Sequence, residues 1–241
     1  MKNLNTGFYK DLDTNFEQAC ELSEQNLSHE KLINLLKIGN IPEKQIAALK
    51  LDDVYSLEET KILINNLTGC DGKIREAVAL KIAQILLRNP EKRSYFIFPE
   101  IFADATIDIN ANICRLVLEA VEALKEQEGF SKIYIEKILK FIDEAFEALD
   151  NFIFRDKKYV INKQLFKLYW CLEALKLFIE EIEPEKLLHI LERAAIEQEY
   201  TIREKVAQIL VKTRLKEFEL LKNHLKEDEN YYVREVFKLN H

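Results

Sequence analysis

The chain contains few of the residues that make tight turns, with five glycines and four prolines among 241 residues. Strand hairpins and phosphate-binding loops depend on such residues, so their scarcity argues against a β-rich or dinucleotide-binding chain. Those present stand at expected helix boundaries: Gly39 follows the run KLINLLKI, and Pro42 and Pro184 each stand just ahead of a periodic run. The composition therefore favours an all-helical fold.

The sequence also lacks the motifs of common catalytic, cofactor and metal sites. It contains no GxSxG, no Walker-type loop and no GxGxxG. The four histidines and four cysteines are scattered, without a CxxC pair or an HExxH motif, so no metal site is predicted. We therefore expect neither catalytic residues nor a cofactor. The cysteines are interpreted as small buried thiols in a reducing compartment, namely Cys20, Cys70, Cys114 and Cys171.

Long apolar runs and an excess of positive charge are absent as well. No stretch reaches the roughly 18 uncharged apolar residues that a membrane-spanning helix needs, and the opening MKNLNTGFYKDLDTNFEQ lacks the apolar core of a signal peptide. We therefore predict a cytoplasmic protein without membrane contact. Acidic residues outnumber basic ones by 42 to 35, which argues against a surface devoted mainly to nucleic acid.

Apolar residues at helical spacing are abundant. In residues 71–88 the side chains of Ile74, Val78 and Ile82 recur every three or four positions along one face of a predicted helix. The opposite face is charged. Asp71 stands where an N-capping residue is expected.

A short pattern recurs along the chain. In DGKIREAVALKIAQIL, EYTIREKVAQIL and NYYVREVF, an acidic or amide residue is followed four positions later by an arginine. Weaker copies surround Gln45, Arg115 and Asn162. Successive key positions are 30 to 47 residues apart, which is typical of helical-hairpin repeats. A single hairpin cannot bury the apolar faces of both helices, so such repeats stack on their neighbours.

These segments, together with IPEKQIAALKL, resemble the second helix of HEAT repeats. The resemblance implies an all-α, right-handed α-α superhelix (solenoid) of about six HEAT-like helical hairpins over residues 29–241, after an N-terminal capping segment at residues 1–28. In that family the acidic residue and the arginine tend to form a ladder between adjacent repeats. Structural roles are therefore implied for Asp71, Arg75, Arg115, Arg203 and Arg234.

Several tyrosines and lysines are predicted to lie at turns just ahead of the second helix of a repeat. Turn residues of successive repeats line one edge of a solenoid, so these side chains are our candidate partner-binding strip, with ordinary turn residues as the competing interpretation. The aromatic run KLYWCLEALKLF is instead interpreted as a buried helix, because its spacing is helical. The candidate strip consists of Lys73, Lys157, Lys158, Tyr159, Tyr200, Tyr231 and Tyr232.

Three functions are compatible with such a fold, because the repeat motif specifies architecture and not activity. The first is a non-catalytic scaffold that binds a partner protein or peptide in the solenoid groove. The second rests on a resemblance to HEAT-like alkylpurine DNA glycosylases, whose chemistry uses a positively charged groove, two tryptophans and an aspartate. This acidic chain has one tryptophan, Trp170. The third rests on repeat length alone and is a resemblance to lyase-like chaperones that attach bilins.

Overall fold

The computed structural model describes residues 6–69, 71–151 and 158–239. These residues form thirteen α-helices and three short 3-10 segments and contain no strand, which confirms the all-helical prediction. In chain order the α-helices are Thr6–Glu24 (α1), His29–Ile38 (α2), Ile41–Lys50 (α3), Leu57–Ile64 (α4), Gly72–Arg88 (α5), Pro99–Thr106 (α6), Ala111–Leu124 (α7), Ser131–Asp150 (α8), Lys158–Leu175 (α9), Pro184–Ala195 (α10), Tyr200–Leu210 (α11), Glu219–Lys226 (α12) and Tyr231–Leu239 (α13).

Local sequence explains where many of these helices begin. Asn40 and Glu43 form a reciprocal capping box at the start of α3, where Pro42 occupies the first turn. Asp71 caps α5, because its Oδ1 accepts the N–H groups of Lys73 and Ile74. The predicted capping role of Asp71 and the predicted helix over residues 71–88 are both confirmed.

The chain divides into two compact units, of which the N-terminal unit is Met1–Phe130. Within it α1 packs on α3, α3 on α5 and α5 on α7, so that these helices follow one another in a series. Helix α2 packs on α3 and α4, and α6 packs on α7. The core between them is apolar and includes Leu36, Leu63 and Phe102, each with 0% exposure.

The C-terminal unit, Ser131–His241, has the same plan. Helices α9, α11 and α13 pack in series, while α8 packs on α9, α10 on α11 and α12 on α13. Tyr134 and Phe178 are fully buried with ring centroids 5.5 Å apart. Trp170 is 6% exposed, so the predicted burial of this aromatic helix is confirmed.

Helices α2 and α3, α6 and α7, α8 and α9, α10 and α11, and α12 and α13 pack as sequential pairs, whereas α4 and α5 do not pack closely on each other. The six predicted hairpins are therefore not all observed. The superhelical stacking of the hairpins, and their membership of the HEAT family, stay predictions. Helix α1 falls within the predicted capping segment at residues 1–28. In the part of the chain that the structure describes, no helix has both the length and the hydropathy needed to cross a membrane.

The cysteine interpretation is partly wrong. Cys114 and Cys171 are buried, as expected. Cys20 is exposed, because Glu17 and Glu24, which lie one turn away on either side, are exposed too, and this face of α1 meets solvent. Cys70 lies outside the described residues.

Candidate functional site

Three arginines close the loops that precede their own helices. Each is the fourth residue of its helix, and its Nη1 donates to the carbonyl oxygen of the residue three positions before the helix begins. The distances are 2.8 Å from Arg75 to Gly69, 2.8 Å from Arg203 to Glu197 and 2.5 Å from Arg234 to Asp228. The recurring sequence pattern therefore corresponds to a recurring loop geometry.

Two of these arginines also reach the loop before the next helix of the series. Arg75 Nε lies 2.6 Å from Asp108 Oδ2, and Arg203 Nε lies 2.7 Å from Asp228 Oδ2. Each pair is bidentate, since the Nη2 atoms donate to the second carboxylate oxygens at 3.2 Å and 3.0 Å. Bidentate arginine–carboxylate pairs are stronger and more directional than neutral hydrogen bonds. They join α5 to the start of α7, and α11 to the start of α13.

The aspartate of each pair also orders the cap of the next helix. Asp108 Oδ1 accepts the Asn110 N–H at 2.8 Å, and Asn110 Oδ1 accepts the Asn112 N–H at 2.9 Å. The C-terminal unit repeats both distances, from the Asn230 N–H to Asp228 and from the Tyr232 N–H to Asn230. One buried carboxylate therefore connects the preceding helix to the first turn of the following one.

The pKa of Asp228 reflects this arrangement. Burial opposes ionisation of its carboxyl group, but the hydrogen bonds from Arg203 and from the Asn230 N–H outweigh burial and lower the pKa below its ordinary value. The hydrogen bond to Asp228 correspondingly raises the pKa of Arg203. Both groups are therefore held in their charged forms.

The implied ladder needs two corrections. The carboxylate that pairs with Arg75 is that of Asp108, because the Asp71 carboxylate is engaged in capping α5. Arg115 does not have the position of the other arginines. It is the fifth residue of α7, it is exposed, and it donates to Asn112 Oδ1. Cys114 takes the fourth position, where its Sγ donates to the Asp108 carbonyl oxygen at 3.0 Å.

The sequence interpretation missed Asp108 and Asp228. The signal that could have found them is an aspartate two residues before an asparagine cap, in DINAN and DENYY. Such an aspartate can accept the asparagine N–H while its second oxygen faces a neighbouring helix.

Three tyrosines from the predicted strip meet in the C-terminal unit. The rings of Tyr200 and Tyr232 are stacked with centroids 5.9 Å apart, and the edge of Tyr231 approaches Tyr232 at 5.6 Å. Tyr231 and Tyr232 are 56% and 60% exposed, and Tyr200 is half-buried. We call these three residues the tyrosine cluster. They lie in the first turns of α11 and α13 instead of the preceding turns.

The other residues of the candidate strip lie on other helices or outside the described residues. Lys73 is exposed in the first turn of α5, in the N-terminal unit. Lys158 and Tyr159 are the first two residues of α9. Lys157 lies outside the described residues. A continuous strip along one edge stays a prediction.

A buried charge cluster lies between α9 and α11. Glu173 pairs with both Lys176 and Lys205, and the two ammonium groups donate to Gln208 Oε1 at 3.0 Å and 3.1 Å. Burial opposes ionisation of Glu173, but these two lysines lower its pKa. Because Glu173 of α9 pairs with Lys205 of α11, the cluster is suited to holding the two helices together. No group of three potential metal ligands occurs within the described ranges.

The N-terminal unit has an open groove of about 550 Å³ between α5 and α7. Leu80 and Leu87 of α5 face Leu116 of α7 across it, and Glu119 and Glu122 lie along its α7 side. We call it the α5–α7 groove. The sequence interpretation missed it as a discrete site, because each helix shows a conventional amphipathic pattern and the groove exists only where the two meet.

No protein-family model matches the chain, and no curated protein matches its sequence.

Proposed function

We propose that the chain is a HEAT-like solenoid of about six helical hairpins that acts as a non-catalytic scaffold and binds a partner protein or peptide. The tyrosine cluster is one contact surface for that partner. The observation that carries this proposal is the exposure of stacked aromatic rings on two helices joined by the buried Arg203–Asp228 pair.

The repeated loop geometry supports the repeat architecture. Arg75, Arg203 and Arg234 close their loops in one manner, and Cys114 does so with a thiol. Repeats that differ in sequence but share one closure are typical of stacked hairpins. The shared element is structural, so specificity is expected to lie in side chains that vary between repeats.

The tyrosine cluster has the properties of a protein-binding surface. Tyrosine is enriched at interfaces, where it offers a large contact area and a hydroxyl group while few rotatable bonds are frozen. The Tyr232 backbone is fixed by Asn230, and its ring rests on Tyr200. The surface is therefore largely preorganised, which lowers the entropic cost of binding.

The two alternative functions have less support. Trp170 is 6% exposed on α9 and so is not an open stacking wall for a nucleobase, as the glycosylase resemblance would require. The bilin alternative rests on repeat length, and no described residue favours it.

The test is affinity capture with the wild-type chain and with a Tyr231→Ala/Tyr232→Ala variant, using lysate of the native host and mass spectrometry. We expect a protein that the wild type retains and the variant loses. With that protein purified, the variant should bind at least about tenfold more weakly in calorimetry, as loss of an interface hot spot implies. Leu220→Ala is the matched control, because Leu220 is 85% exposed on α12, outside the cluster.

Two results would contradict the proposal. One is equal recovery and equal affinity of the partner with the double tyrosine variant. The other is an equal loss with Leu220→Ala, which would indicate non-specific adhesion to exposed apolar side chains.

A further inference from the structure

The α5–α7 groove has an apolar floor that protein atoms leave uncovered. Leu80, Ala83 and Leu87 contribute it from α5, and Leu116 and Ala123 from α7. Leu87 is 81% exposed, although it follows the buried residues Ile85 and Leu86 directly in the chain. Exposed apolar surface of this kind, bounded by polar residues, marks interaction sites.

One wall of the groove is acidic. Glu119, Glu122 and Glu126 are spaced three and four residues apart, so their carboxylates follow one side of α7 and its C-terminal end. All three are exposed, and none has an ion-pair partner in the described part of the chain. The C-terminal end of a helix carries a partial negative charge from the helix dipole. This charge adds to that of the nearby carboxylates in stabilising a bound cation.

The groove contains one cation of its own. Arg93 follows α5 in the chain, and its Nε is buried without a hydrogen-bond acceptor among the described residues. This atom is not accessible from the groove, so what Arg93 contributes to the lining is one positive charge. Three glutamates against one arginine leave the lining with a net negative charge.

We propose that the α5–α7 groove binds a basic amphipathic helix of a partner protein. The apolar stripe of that helix covers the leucines of the floor, and its lysines or arginines face Glu119, Glu122 and Glu126. Helix-in-groove recognition combines these elements, with apolar anchors at every third or fourth residue.

The dimensions suit a short helical segment. At about 1.5 Å per residue, the stretch from Leu80 to Leu87 is about 10 Å long and that from Leu116 to Glu126 about 15 Å. Two to three turns of a helix extend over about the same length. The site therefore requires one short amphipathic segment and not a large second surface.

Charge distinguishes a basic helix from three other conceivable occupants of the groove, which are a nucleic acid, a second copy of the chain and a small apolar ligand. A nucleic acid would be repelled by the glutamates. A second copy of the chain carries a net charge of −7 and would oppose an acidic wall with another acidic surface. A small apolar ligand would leave the three carboxylates of the acidic wall without a cationic partner.

The experiment uses the full chain and three fluorescein-labelled peptides of about 18 residues, long enough to form a helix in isolation. The first places leucines at helical spacing between lysines and arginines. The second has the same leucines, with glutamates in place of the basic residues, and the third is a scramble of the first. Fluorescence anisotropy should show the basic amphipathic peptide binding at least about tenfold more tightly than either control, and less tightly as salt rises.

Two variants locate the binding. Leu87→Asp should weaken binding of the basic peptide at least about tenfold, because the substitution places a charge on the apolar floor. The charge reversal Glu119→Lys/Glu122→Lys/Glu126→Lys should transfer the preference to the acidic peptide. Its matched control is Glu136→Lys/Asp143→Lys/Glu147→Lys on α8, which changes the net charge equally at three exposed positions and should leave the preference unchanged. Circular dichroism checks that each variant is folded.

Several outcomes would overturn the proposal. Two concern the wild type, namely equal affinity for the basic and acidic peptides and no binding of the basic peptide up to about 1 mM. A third is that the α8 control variant comes to prefer the acidic peptide. A fourth is that light scattering shows the wild type to be a dimer and Leu87→Asp to be a monomer. The tyrosine cluster is unchanged in all of these variants. Failure of this inference is therefore distinguishable from failure of the proposed function.

Discussion

The Arg75 region of the N-terminal unit and the Arg203 region of the C-terminal unit have the same polar framework. In each, an arginine joins its own loop to an aspartate of the next, and that aspartate orders an asparagine cap. The residues placed on this framework differ. Asn110 and Asn112 bind the Glu76 carboxylate in the first region, at 3.2 Å and 3.0 Å.

In the second region Asn230 keeps the capping position of Asn110, but Tyr232 takes the position of Asn112. Tyr231 and Tyr232 begin α13, and Tyr232 stacks on Tyr200. In the first region the polar side chains beside the loop therefore form hydrogen bonds with one another, whereas the second region exposes the preorganised tyrosine cluster. The two regions therefore share the arginine–aspartate framework and differ in the first two residues of the helix that follows, on which the proposed partner contact depends.

The largest expected effect comes from removing the shared arginine. Arg203→Met and Arg75→Met should each lower the free energy of unfolding by about 3–5 kcal/mol, because each leaves a buried carboxylate without its partner. Urea denaturation measures both.

Arg115→Met is the control for that comparison. Arg115 is exposed and lacks the loop-closing position, so its replacement should change the free energy of unfolding by less than about 0.5 kcal/mol. A loss as large as that of Arg203→Met would show that the framework is not what stabilises the two regions. In an Arg203→Met/Asp228→Asn double variant, part of the loss should be recovered, because no charge is then left buried.

A smaller effect is expected in acid and should sharpen the comparison at Asp228. Its pKa is lowered in the folded chain, so ionisation of Asp228 contributes stability above its unfolded pKa of about 3.9, and this contribution is lost as the pH falls through the lower folded value. The stability advantage of the wild type over Asp228→Asn should therefore be constant near neutrality and shrink below about pH 4. Urea midpoints measured from pH 7 to pH 3 test this. An advantage that grew in acid would contradict the lowered pKa.

The smallest effect concerns Cys114, which occupies in α7 the position of Arg234 in α13. Burial, and secondarily the charge of Asp108, raise the pKa of the Cys114 thiol to about 12. The thiolate is the reactive form, so Cys114 should resist iodoacetamide at pH 8 while the exposed Cys20 is alkylated. Peptide mass spectrometry reads both sites, and urea-unfolded protein is the positive control. Equal alkylation of Cys114 and Cys20 in the folded chain would refute its protected position.

Particular residues show how far prediction from the sequence reached. The sequence predicts Asp71 as a cap and Trp170 as core, because capping residues and helical periodicity are local signals, and the structure confirms both. The sequence groups Arg115 with the other arginines, although it is the fifth and not the fourth residue of its helix. A difference of one residue is hard to detect in a weakly conserved copy of the repeat pattern. Asp108 and Asp228 were missed because their partners lie 33 and 25 residues away in the chain.

The sequence alone determined the helices, their caps and the recurrence of a loop-closing arginine, since each depends on interactions within a few residues along the chain. Tertiary structure decided which carboxylate each arginine meets, that Tyr200 stacks on Tyr232, and that Leu80, Leu87 and Leu116 share a groove with an acidic wall. These relations depend on how neighbouring helices pack, and side-chain spacing within one helix does not specify which residues of the next will face it.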